Sequence, residues 1–189
     1  RTMIKALLST VIFSDSVSHM MSAWAAALGL AAATPAAAQD FNVEGYVQLD
    51  RRLDYGENFW DEKDVPQGEV TIVADIDADQ VYVYRAGYEI GRSTFIQGDY
   101  DTPTPVGEYK VLEKDIDHVS STYNNAPMPY NLRLTWSGYA LHGTAEVADI
   151  WATHGCIGLP LDFAEILFKH TKVGTRVLIT RRWKPDIYW

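Results

Sequence analysis

Val70-Thr71-Ile72-Val73-Ala74, Asp75-Ile76-Asp77-Ala78-Asp79 and Gln80-Val81-Tyr82-Val83-Tyr84-Arg85 follow one another in the chain, and this run decides the fold class. Its outer segments are rich in β-branched and aromatic residues, whose side chains pack well on a pleated surface, so each reads as a strand. The acidic centre reads as the turn between them. Three aspartates there invite a calcium loop, but the remaining ligands and the closing glutamate are missing, which leaves a solvated turn.

Moving outward, Gly87 punctuates two more short strands, Tyr88-Glu89-Ile90-Gly91 and Ser93-Thr94-Phe95-Ile96. Asp101-Thr102-Pro103-Thr104-Pro105-Val106-Gly107 has prolines that fix φ and remove amide donors, so it is a rigid loop feeding a strand at Glu108–Leu112. A second loop, Tyr123 to Tyr130, leads into a strand at Asn131–Trp136. Ser137-Gly138 turns the chain back along Tyr139-Ala140-Leu141-His142. The one helix expected runs over about 160–172, with Pro160 in its first turn and an apolar stripe of Phe163, Ile166 and Leu167. A closing strand follows at Thr175–Thr180. The expectation is a mostly β domain over residues 66–183 with one main helix packed against it, and a C-terminal tail over 184–189.

Residues 39–65 are polar and acidic with scattered aromatics, and read as a linker or N-terminal arm. Before them, an Ala/Leu-rich run from Met21 to Ala33 precedes Pro35 and the small-residue stretch Ala36-Ala37-Ala38. That is the pattern of a secretory signal peptide over 1–38, cleaved after Ala38, with an apolar core short for a stable membrane span. The expected location is the periplasm. The formal net charge of -9 offers no basic face for nucleic acid or an anionic membrane.

Cys156 is the only cysteine in the chain, and an exported domain with one cysteine has no internal disulfide to make. It lies in Thr153-His154-Gly155-Cys156-Ile157-Gly158, fourteen residues after His142 in Leu141-His142-Gly143-Thr144. A free thiol is mostly protonated at neutral pH and needs a base to become a nucleophile. His142 and His154 are the two candidate bases. Cys156 and His154 share a face if their segment is extended. The Gly143 carbonyl is one candidate to orient the base, and main-chain N–H groups of Gly155 and Cys156 are the candidate oxyanion donors. The same three side chains also have the right types for zinc, but a fourth ligand is missing and the spacing fits no common zinc pattern. No metal and no cofactor are expected.

The combination His142-Gly143-Thr144, Thr153-His154-Gly155-Cys156-Ile157 and Leu159-Pro160 resembles the signature of the L,D-transpeptidases, the YkuD-type catalytic domains. The resemblance extends to the Val81–Tyr84 strand, the Thr102–Gly107 loop, and Met128-Pro129-Tyr130 with Arg133. It implies a β-sandwich-like, exported enzyme acting on peptidoglycan, with Cys156 as nucleophile and His142 as base. The reaction it implies releases the terminal D-alanine of a tetrapeptide stem through a thioester. An amine then takes the acyl group, giving a 3→3 crosslink, a protein anchor or D-amino-acid exchange. Stem peptides, an outer-membrane acceptor protein and carbapenem inhibitors are the implied partners. His154 would shape the oxyanion side, and Met128, Tyr130, Arg133, Trp136 and Thr153 would contact substrate. One departure stands out: many members carry arginine or asparagine two residues after the cysteine, and this chain has Gly158, which leaves open altered donor specificity, reduced activity, or a compensating group such as Arg133. Rival readings are a peptidoglycan-binding pseudoenzyme and a cell-wall cysteine peptidase, the latter usually having its cysteine before its histidine.

Overall fold

The computed structural model describes residues 41–183. The expected signal peptide and C-terminal tail lie outside the described residues. In chain order the elements are β1 (Asn58–Trp60), β2 (Val70–Asp75), β3 (Gln80–Arg85), β4 (Tyr88–Thr94), β5 (Gly107–Lys110), β6 (Glu113–Asp115), β7 (Asn131–Arg133), β8 (Ala140–Thr144), β9 (Ile157–Pro160), α1 (Leu161–His170) and β10 (Arg176–Thr180). One sheet has the order β1-β4-β3-β2-β10-β5 and the other β6-β7-β8-β9. A shared core that includes Ile72, Val83, Phe95, Leu132, Leu141, Ile157 and Phe163 packs the mostly β architecture together with its helix.

The acidic turn is where the strand pattern placed it, with Asp79 at φ 51° closing the antiparallel β2–β3 pair. The two segments expected on either side of Arg92 are one strand, β4, because both halves pair continuously with β3 around a register shift at Val83/Tyr84. Three strands were not read from the sequence: β1, β6 and β9 are only three or four residues long. Runs this short carry too few periods to declare themselves and form because neighbouring strands offer ladder partners.

Residues 41–65 run along the large sheet. Phe41 is buried on its outer face with Val73, Tyr82, Tyr84 and Leu178. Val47 donates its N–H to Glu89 and receives Arg92 at its carbonyl, at 2.9 and 2.8 Å. The buried Glu89–Arg92 pair is itself held at 2.7 Å. These charges are therefore satisfied jointly by each other and by the arm's backbone, as buried ions require.

Helix α1 begins directly after β9, with Pro160 at its N-cap position. Its first turn presses on β8: a Cβ at Gly143 would come within 2.9 Å of Leu161 and 3.3 Å of Ala164. At its other end the Lys114 ammonium donates to the Phe168 and Thr171 carbonyls, both at 2.6 Å. A cation there satisfies carbonyls that the helix leaves unpaired and complements its dipole. Lys114→Met should lower unfolding free energy by about 1–3 kcal/mol, read from urea denaturation of the two proteins side by side.

Candidate active site

The cysteine loop is built on one hydroxyl and two glycines. Thr153 is joined to the segment after β4 by its N–H to Gln97 O (2.8 Å) and its carbonyl to Asp99 N–H (3.2 Å). Its Oγ1 donates to the Cys156 carbonyl at 2.6 Å and accepts the Gly155 N–H at 3.2 Å, closing residues 153–156 into a tight turn. Gly155 turns at φ 100°, and a Cβ there would meet the Tyr139 ring at 2.4 Å. Both the backbone angle and the ring demand glycine. Gly98 lies against Gly155 so closely that its own Cβ would fall 2.8 Å from the Gly155 Cα.

The turn has two consequences for the expected roles. Gly155 at φ 100° breaks the extended geometry, so strand alternation does not set the His154 and Cys156 side chains, although both line the cleft. His154 is exposed and stacks on Tyr123, with ring centroids 3.9 Å apart and planes 16° apart. The Gly155 N–H, expected as an oxyanion donor, is already given to Thr153.

Cys156 sits just before β9, which pairs in parallel with β8 in the register His142↔Gly158. Its thiol donates to the Gly138 carbonyl at 3.6 Å. Burial pushes the thiol above its ordinary value of 9.0, while the Ala140 N–H and the Arg133 charge pull the other way. The resting sulfur is therefore a thiol at neutral pH.

His142 is 9% exposed. Its Nδ1 lies 3.0 Å from the Gly143 carbonyl. A carbonyl only accepts, so Nδ1 carries the proton and Nε2 keeps its lone pair. Burial pushes the imidazole below its ordinary 6.5 and His118 adds to this, with the Gly143 bond a partial offset. His142 is thus a neutral base of defined tautomer. Its orienting carbonyl is itself fixed, since Gly143 donates to Pro129 O at 2.7 Å under the first turn of α1.

Both side chains line one cleft of about 690 Å³. Met128, Arg133, Thr153 and His154 line it too, as the sequence suggested. Tyr130 and Trp136 do not. Tyr130 packs against Phe168 on the helix side, at φ 56°, and Trp136 is 76% exposed on the β7–β8 turn. The family resemblance implies substrate contact for both, but residue type alone does not fix the face a side chain occupies. The lining also includes His118, Tyr123, Asn131 and Tyr139, none of them picked out from the sequence. For Asn131 a signal existed: it alternates with the apolar Leu132, as does Arg133. Among the described residues no group of three or more His, Cys, Asp or Glu is placed to hold a metal ion, so the zinc arrangement of His142, His154 and Cys156 is not formed.

Gly158 has a packing reason. Its N–H and carbonyl both bond to Ile96, each at 2.9 Å. A Cβ on it would lie 2.8 Å from Ile96 Cγ1 and 3.4 Å from Thr144 Cγ2. Ile96 lines the cleft and fills the space a longer side chain would need.

A sequence profile of the L,D-transpeptidase catalytic domain, YkuD, matches residues 69–179. Among solved structures, an L,D-transpeptidase from Mycobacterium smegmatis is 26% identical with a TM-score of 0.54, over 59% of this chain and 58% of that one. A mutant L,D-transpeptidase of Enterococcus faecium, with cysteine exchanged for serine, is 25% identical with a TM-score of 0.54, over 60% of this chain and 50% of that one. An L,D-transpeptidase in complex with imipenem is 26% identical, again with a TM-score of 0.54, over 58% of each chain. The chain thus spans less than two thirds of the length of these structures. No curated protein matches the sequence.

The packing at Gly158 predicts that Gly158→Ala costs about 1–3 kcal/mol, the usual range for overpacking. Gly158→Arg, which also buries a cation, should fail to give soluble folded protein. Thermal melts and expression yields of the two variants check this.

Proposed function

The chain belongs to the YkuD family of L,D-transpeptidase catalytic domains, and we propose that it is a cysteine acyltransferase acting on peptidoglycan tetrapeptide stems. The observation that carries the cysteine mechanism is the state of His142. It is a buried, neutral imidazole with Nδ1 committed to Gly143 and Nε2 unprotonated, in the same cleft as the only cysteine.

In this reading His142 Nε2 takes the thiol proton as Sγ attacks the carbonyl between the L-centre of the third stem residue and terminal D-alanine. The Cys156 N–H stabilises the oxyanion. Collapse breaks the C–N bond, His142 returns its proton to the departing D-alanine amine, and a thioester remains. An acceptor amine attacks the thioester, loses its proton to His142, and leaves with the acyl group while the thiol is restored. Because both partners rest neutral, attack and proton transfer are coupled and no standing thiolate is required. The acceptor is a second stem, an anchored protein or a free D-amino acid. His154 acts at the rim of the cleft through its stack on Tyr123. The reading includes export to the periplasm, supported by the signal-like pattern at residues 21–38.

A relative bound to imipenem supports a carbapenem as the probe. Intact-protein mass spectrometry should show one acyl adduct on the wild type and none on Cys156→Ala. His142→Ala should slow acylation by about 10²–10⁴-fold, and His154→Ala by much less. The acylation rate should fall as pH drops below 6.5 into the depressed range of His142, because protonated Nε2 takes no proton. Wild-type acylation by His142→Ala would remove His142 from the mechanism, and an adduct on Cys156→Ala would remove the cysteine.

A further inference from the structure

Strand β7 presents two polar side chains to the cleft. Leu132 is 1% exposed and points into the core. Its neighbours Asn131 and Arg133 therefore face the other way, and both line the cleft. Asn131 is only 2% exposed overall, and the little it exposes belongs to the cleft wall. Arg133 Nε is buried and lies 2.9 Å from Glu113 Oε2, but not in hydrogen-bonding alignment. No other described contact engages its guanidinium, which leaves the two terminal amino groups open to the cleft. It is the one lysine or arginine of the cleft lining, where Asp101 is the acidic residue and His118, His142 and His154 the remaining titratable cations.

A buried guanidinium nitrogen is costly when unpaired, and structures rarely leave one so, as Arg133 Nε is here. The planar fork of arginine matches a carboxylate with two parallel hydrogen bonds. Arg133 also lies within electrostatic reach of Cys156, and Gly158 contributes no side chain to compete with it.

We infer that Asn131 and Arg133 form the subsite that holds a carboxylate of the donor stem, a reading that rests on the proposed transpeptidase function. Arg133 grips the carboxylate through its terminal amino groups while Glu113 stays against Nε. The Asn131 amide pairs with a peptide group of the stem. Two carboxylates have the right chemistry: that of terminal D-alanine, one bond beyond the reacting carbonyl, and that on the side chain of a diaminopimelate third residue.

The test uses three synthetic tetrapeptide stems: the natural one, one with a C-terminal amide, and one with the diaminopimelate side-chain carboxylate amidated. D-alanine or D-alaninamide release is followed for wild type, Arg133→Lys, Arg133→Met and Asn131→Ala, each checked for a folded circular dichroism spectrum. Wild type should disfavour one amidated stem by about tenfold or more in kcat/KM, and that stem identifies the carboxylate held. Arg133→Met should shrink this discrimination to about twofold, mainly through KM for the natural stem. Arg133→Lys should keep the pH profile of Cys156 alkylation by iodoacetamide while losing most of the discrimination, which separates gripping the substrate from tuning the thiol. Asn131→Ala should raise KM for all three stems alike. Equal turnover of all three stems by wild type, or full discrimination retained by Arg133→Met, overturns the subsite while leaving the transpeptidase reading intact. Turnover of no stem by wild type overturns both.

Discussion

Two main-chain hydrogen bonds between Ile96 and Gly158, each 2.9 Å long, join the two sheets at the point where the site depends on them. Ile96 continues from β4 of the large sheet, and Gly158 lies in β9 of the small one. At this crossing Gly158 has no Cβ, and one would lie 2.8 Å from Ile96 Cγ1. Three residues before Gly158, Gly155 repeats the arrangement against Gly98, with backbones nearly touching. Between these contacts, Cys156 has little freedom left. Rigid placement of the reacting atom is a condition for catalysis by orientation.

The electrostatics follow from the same packing. A cleft wall dense enough to fix the sulfur also strips it of water, so the thiol is held protonated and the histidine held neutral. The two shifts are complementary: each group is in the form needed to begin a proton transfer, and neither charge is carried before substrate arrives. Arg133 is the exception, a permanent cation kept in the wall with its terminal nitrogens open. Its charge favours a developing thiolate and an approaching carboxylate alike.

Remote parts of the chain serve this geometry indirectly. Helix α1 starts immediately after β9, and its first turn presses on Gly143, so the carbonyl that orients His142 is set by helix packing. Lys114 closes the other end of that helix from β6, in the same small sheet as the site. On the far face, the buried Glu89–Arg92 pair and the docked arm around Val47 stabilise the large sheet on which Ile96 depends.

By itself the sequence determined the β character, the acidic turn and the single helix, and it singled out Cys156 with two candidate histidines. These are local properties: β-branched alternation, prolines that exclude helix, an apolar stripe, and residue types that carry nucleophilic chemistry. It also marked the glycines around the cysteine as special. The tertiary structure alone decided that His154 stacks on Tyr123, that Gly155 spends its N–H on Thr153, that Tyr130 and Trp136 lie off the cleft, and that Asn131 lines it. It alone explained Gly158, whose missing side chain makes room for a residue sixty-two positions earlier in the chain. The physical reason is the same in each case. Which face a side chain occupies, and which partner competes for a donor, depends on contacts between strands far apart in sequence, and no local pattern records them.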